Sequence, residues 1–293
     1  MTGWRWMAAV LLVASCGRGP GGAVEGVAPA PATPAAAGKT EQKRPPSGVV
    51  RYGPSAMRYI VYRRLRIEQT FGGQPQRQDL GARVFVGVVI TGPADGTGYP
   101  ATFTVDSVLS DSGTPQPIAD NMSKVRALIL AGRVAPRGDF QGSTPSDSMS
   151  AQNIVQLVGN FRDFLPRIPP QGARVGTAWS DTMSVTQRSG GGVVTRRVTV
   201  HSTAAAWEEH AGTRSLRIES NTTYSLAGSG ENGGQSFEVG GTGTTTARTF
   251  IAEDGRFLGG ESQDSTSLTI SLPAQGLAIP VTQVLRSTVL VQP

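Results

Sequence analysis

Few residues in this chain have the type and spacing that chemistry demands. His201 and His210 are the only imidazoles among 293 residues. Neither has a second imidazole four residues away, or other ligands at zinc spacing. His201 falls in an alternating run and reads as the surface of a β-ribbon. Glu208-Glu209-His210 reads as a solvated turn between Trp207 and Gly212. No Gly-x-Ser-x-Gly elbow is present. A Ser-His-Asp group or a carboxylate pair brought together in space stays open as an alternative. Gly190–Gly192 and Gly228–Gly243 lack a Lys-Ser/Thr and open no helix, so they read as hairpin loops rather than phosphate cradles. Glu253-Asp254-Gly255 lacks EF-hand spacing and reads as a turn. No catalytic residue, metal or cofactor is assigned. The densest cationic pattern is Arg63, Arg64 and Arg66, with Arg196 and Arg197 in a later run. It is either a solvated strand face or a site for an anionic headgroup. Arg63, Arg64 and Arg66 are the candidate ligand-binding residues, together with Trp179. Trp179 is also expected, with Trp207, to pack in the core.

The single cysteine stands in a different context. Arg5 gives the N-terminus a positive charge, and Met7 to Ala14 form an apolar stretch too short to span a bilayer. The stretch ends in Val13-Ala14-Ser15-Cys16. This resembles the lipobox of bacterial lipoprotein signal peptides, an aliphatic residue and two small residues before the modified cysteine. The resemblance covers the first 16 residues. It implies cleavage before Cys16, a diacylglyceryl group on its sulfur, and stable anchoring by two or three acyl chains. Gly17, rather than Asp, follows the cysteine, which in the best-known sorting rule implies the outer membrane, facing the periplasm. On this reading residues 1–15 are the signal peptide; the alternative is an ordinary secretory signal with a chance cysteine.

Residues 16–50 then read as a tether. They are rich in Gly, Ala and Pro, have no apolar periodicity, and cannot bury a core. Such a segment spans roughly 30 Å as a coil and up to about 100 Å as polyproline II. Half of the net charge of +6 lies in the first 50 residues, which carry five basic and two acidic side chains, while the remainder carries 22 and 19. A net of +3 on residues 51–293 gives no argument for nucleic acid. Aromatic residues, at 6%, also offer few stacking platforms.

Residues 51–293 alternate with period two. Tyr59, Val61, Leu65 and Ile67 interleave with Arg64, Arg66 and Glu68. Val84, Val86, Val88 and Ile90 share a face, as do Phe103, Val105 and Leu109, then Val194, Val198 and Val200, then Leu216, Ile218 and Tyr224, then Leu268, Ile270 and Leu272. The pattern predicts a mainly β fold: a large antiparallel curved sheet or half-barrel with one or two short covering helices. Helical spacing appears at Pro117–Leu130 and at Asp147–Leu165, where Asp147 or Ser148 is the cap and Pro166 the stop. A weak repeat is also visible. Val134-Ala-x-x-Gly138-x-Phe140-x-Gly142 recurs 117 residues later as Ile251-Ala-x-x-Gly255-x-Phe257-x-Gly259. It is either a chance recurrence of a common hairpin or the mark of two related halves, 51–165 and 166–293.

The joint between those halves contains Leu165-Pro166, Pro169, Val175-Gly176 and Trp179. It resembles an L-P-x-x-P-x(5)-V-G-x-x-W element of an uncharacterised family of β-rich envelope proteins. Thr177-Ala178 stand where that family more often has an acidic or polar pair, and the resemblance assigns no catalytic residue. In layout alone, the chain also resembles lipoprotein-carrier half-barrels. Three function classes follow. The first is a non-enzymatic envelope lipoprotein that binds a lipid or other hydrophobic molecule on a concave face. The second is a structural or protein-interaction lipoprotein without a cavity. The third is a hydrolase with a spatially assembled site. The expected partners are a membrane, through the lipid, and a hydrophobic small molecule or an envelope protein.

Overall fold

The computed structural model describes residues 48–71, 73–123, 125–148, 151, 161–189 and 191–292. Cys16 and most of the tether lie outside them. Alternation of apolar and polar side chains puts 11 strands into one antiparallel sheet. In chain order these are β1 (Ser55–Phe71), β2 (Gln74–Ile90), β3 (Tyr99–Ser110), β4 (Leu128–Val134), β5 (Phe140–Pro145), β6 (Ala178–Ser189), β7 (Gly192–His210), β8 (Thr213–Asn232), β9 (Gln235–Ala252), β10 (Phe257–Leu272) and β11 (Leu277–Val291). Their spatial order is β5-β4-β3-β2-β1-β11-β10-β9-β8-β7-β6, so the sheet is open, with β5 and β6 at its edges.

The chain thus runs two five-strand meanders, β1–β5 and β6–β10, with β11 joining them in space. The two Gly-Phe-Gly segments form matching hairpins. In each, an amide closes a tight turn: Ala135 N to Asp139 O at 2.9 Å, and Ala252 N to Arg256 O at 2.8 Å. Gly138 and Gly255 take φ of 99° and 89°, a conformation that disfavours any side chain. A register shift follows each turn.

Two expectations differ from the structure in detail. Pro117–Leu130 is helical only over α1 (Gln116–Ser123), after which Leu128 enters β4. Pairing with β3 outweighs helical spacing here, and Ala127 donates its N–H to Val105 O at 2.8 Å. Leu109 is 44% exposed while Val108 is buried, because a bulge between Val105 and Ser107 reverses the alternation. Of Asp147–Leu165, Ser148 and Ala151 are helical, Phe161–Asp163 is a 3-10 turn, and most of the remainder lies outside the described residues.

One face of the sheet holds the core. At one end, Val84, Val86, Val88, Phe103 and Val105 pack against Phe161, Leu165 and Ile168 of the β5–β6 connection. The connection is held from both sides. Tyr52 donates its hydroxyl to Pro166 O at 2.5 Å, and Arg167 pairs with Asp139 at 2.6 Å and Asp163 at 2.7 Å. A second apolar cluster lies toward the other end of the same face and includes Ile67, Leu226, Val239, Leu268, Ile270 and Val281.

Candidate functional site

Between the two clusters the same face turns small and polar. Strand register places Arg63, Ser287, Ser262, Ala247, Ser220, Ser202 and Trp179 in one continuous row across seven strands. At about 4.8 Å per strand, the row extends roughly 29 Å along the curved sheet. Five consecutive Ser or Ala side chains leave a trough, because nothing on them fills the space above the backbone. The neighbouring row on one side contains Val61, Val289 and Ile218, and that on the other contains Leu65, Leu285, Asp264 and Val200. Phe161, Phe164 and Leu165 of the connection also line the space, and the cavity is about 430 Å³. That volume falls in the range of small-molecule sites.

The polar groups in the trough are ordered. Ser202 and Ser220 share a hydrogen bond of 2.8 Å. Tyr224 donates its hydroxyl to Asp264 Oδ1 and Oδ2 at 2.8 and 3.0 Å. Thr245 donates to Oδ2 at 2.6 Å and Thr266 to Oδ1 at 3.0 Å. The Arg196 guanidinium lies 3.5 Å above the Tyr224 ring and 3.7 Å from Asp264 Oδ2. Burial, and secondarily the Asp264 carboxylate, push the Tyr224 phenol up to about 12. The Arg63 guanidinium is pushed down to about 10, chiefly because burial strips its water, with Asp264 opposing. Arg63 Nε is buried without a hydrogen-bond partner.

The sequence candidates divide between the two faces. Arg63 and Trp179 stand at opposite ends of the trough. Arg64 and Arg66 project from the opposite face, because strand neighbours alternate, and Arg66 pairs there with Asp79 at 3.0 Å. Arg196 lines the cavity and Arg197 is exposed. His201 is exposed and bonds Ser180 Oγ through Nδ1 at 2.7 Å. Glu208-Glu209-His210 lies in β7 rather than a turn, since the chain reverses at Ala211-Gly212. There Glu208 pairs with Arg217 at 2.7 Å, and His210 stacks on Phe250 at 3.8 Å. Glu253-Asp254-Gly255 is the β9–β10 turn. Most of Gly228–Gly243 is strand, with the loop confined to Gly233-Gly234. Trp179 and Trp207 are partly buried against the larger core cluster.

Sequence reasoning missed the serine row and the Tyr224–Asp264 centre. The signal was available. Ser202, Ser220 and Ser262 occupy the inward parity of their strands, where Val or Leu would extend the core. Gly243 marks a close approach: it lies opposite Tyr224, and a Cβ there would meet Tyr224 Cζ at 2.2 Å.

No family model matches the chain, and no curated protein matches it. Among solved structures, the chain is similar to OccK2 (OpdF) and OccK8 (OprE) of Pseudomonas aeruginosa. Each match covers 81% of this chain and 98% of the other at 9% identity, with TM-scores of 0.28 and 0.18.

Proposed function

We propose that this protein is a non-enzymatic lipoprotein of the cell envelope that binds an elongated hydrophobic molecule in the trough. The observation that carries the reading is the Ser/Ala row with apolar rows beside it, which leaves a cavity of about 430 Å³ inside an otherwise packed sheet face. The Val13-Ala14-Ser15-Cys16 signal and the Gly/Ala/Pro segment after it support anchoring through Cys16. The tether then holds the sheet away from an outer membrane, on its periplasmic side. The outward face carries Arg64, Arg66, Arg197, Glu219, Arg248 and Glu261 in mid-strand. A lipid-facing barrel wall is apolar there, and an Arg or Lys costs about 2–4 kcal/mol at the midplane. This favours a sheet beside the membrane over one inserted in it.

The test is to express the full chain and its Cys16→Ala variant in a bacterial host. The expected result is that labelled fatty acid enters the parent and not the variant, and that only the parent sediments with membranes. Unchanged sedimentation of Cys16→Ala would remove the anchor. Organic extraction of the purified variant, followed by mass spectrometry, is expected to release a near-stoichiometric amphiphile. An empty protein that also takes up no added lipid would remove the binding reading and leave an envelope scaffold.

A further inference from the structure

The trough has two chemically different ends. At one, Arg63 sits half-buried with its Nε unpartnered. At the other, Trp179 packs against the apolar cluster. The carboxylate nearest the cationic end is already engaged. Both oxygens of Asp264 accept hydroxyls from Tyr224, Thr245 and Thr266, and Arg196 stands beside it. Two guanidiniums, those of Arg63 and Arg196, face this one carboxylate. The cavity's other inward carboxylates are paired elsewhere: Asp181 with Arg137, and Asp163 with Arg167. Arg63 lines the cavity, so an oxyanion bound there could accept a charge-assisted hydrogen bond from its guanidinium.

We propose that the ligand is an amphiphilic anion, a hydrocarbon chain ending in a carboxylate or phosphate, held with its head at Arg63 and its chain along the serine row toward Trp179. This rests on the binding reading above and specifies its ligand class. The guanidinium donates to the oxyanion, and the serine hydroxyls can pair with one another, as Ser202 and Ser220 do. The Val, Leu and Phe side chains of the neighbouring rows and the connection then face the methylenes.

The experiment uses the full-length Cys16→Ala chain, delipidated, with four probes: dodecanoate, dodecyl phosphate, dodecanol and inorganic phosphate. The two amphiphilic anions are expected to bind about ten-fold more tightly than dodecanol or better, in line with a charge-assisted hydrogen bond. Inorganic phosphate is expected not to bind. Arg63→Gln is expected to bring the anions to the level of dodecanol without changing dodecanol itself, and Arg64→Gln, on the opposite face, to change nothing. Equal affinity for dodecanol and dodecanoate, or unchanged anion binding in Arg63→Gln, would overturn the headgroup assignment while leaving the trough as a binding site. Binding of inorganic phosphate as tight as that of dodecyl phosphate would make the free anion the ligand and overturn the amphiphile. No binding of any probe would remove this inference together with the reading beneath it.

Discussion

Tyr224 points its hydroxyl at both oxygens of Asp264, at 2.8 and 3.0 Å, and the absence of a side chain at Gly243 lets the ring lie that way. The arrangement is local: Gly243 faces Tyr224 on one side and Thr266 on the other. Thr266 Oγ1 lies 2.5 Å from the same phenol. Gly243→Ala is therefore expected to displace the ring and lose about 1–3 kcal/mol, as overpacking does. Tyr224→Phe keeps the ring in place and removes only the donor, and about 1 kcal/mol is expected from that loss. Urea denaturation separates the two. Equal losses would mean that the ring position does not depend on the glycine.

Arg63 should trade stability against binding. Its charge is desolvated and its Nε has no partner, so Arg63→Met is expected to stabilise the empty protein by about 1–2 kcal/mol while weakening anion binding. The sign with pH follows. A guanidinium whose folded pKa is depressed destabilises the fold at every pH below that value, and the penalty is relieved only as pH rises past it. In the parent, anion affinity is thus expected to fall as pH rises through about 10, well before an ordinary guanidinium loses its proton. Tyr224, pushed up to about 12, stays neutral through that window. Titration calorimetry between pH 8 and about 10.5 would follow it, and a flat affinity would show that the Arg63 guanidinium keeps its proton throughout that range.

Much of the sheet was legible because its signal is local. Strands such as Val84–Ile90 and Leu216–Leu226 announce themselves by alternation, and the Gly-Phe-Gly hairpins by spacing alone. The site was legible only in part, for a geometric reason. Alternation tells that Arg63 and Arg64 face opposite ways, but not which of them faces in. Spacing along the chain also cannot show that Arg63 and Trp179 end one row, because that depends on six successive strand pairings. The start of β4 at Leu128 was hidden similarly. Its helical spacing is real, and the edge of β3 outweighs it.

The connection over the core depends on Arg167. Its guanidinium bridges Asp139 and Asp163 and is 19% exposed, and Asp139 itself is buried. Arg167→Met would leave the Asp139 carboxylate buried and unpaired, at an expected cost of about 2–4 kcal/mol. Since Phe161 and Phe164 flank the cavity, the same change is expected to raise protease cleavage within 161–174. Wild-type resistance in the variant would show that the aromatic packing alone holds the segment.

The repeated hairpin turns grip the chain just before β1, and this gives the sharpest stability test. At Gly255 a Cβ would lie 2.0 Å from Arg51 O. At Gly138 it would lie 2.6 Å from the Tyr52 ring and 2.8 Å from Pro166 O. Both residues also take positive φ, so alanine combines backbone strain with a collision against main chain that has little room to move. Gly255→Ala and Gly138→Ala are each expected to lose about 3 kcal/mol or more. Gly212→Ala supplies the control. Its φ is 68° but nothing stands within 4 Å of its Cβ, so about 1 kcal/mol is expected from strain alone. The two collisions fall on adjacent residues, so the double variant should lose less than the sum, because one displacement of Arg51-Tyr52 relieves both. Additive losses in chemical denaturation would show instead that each turn fails within its own hairpin.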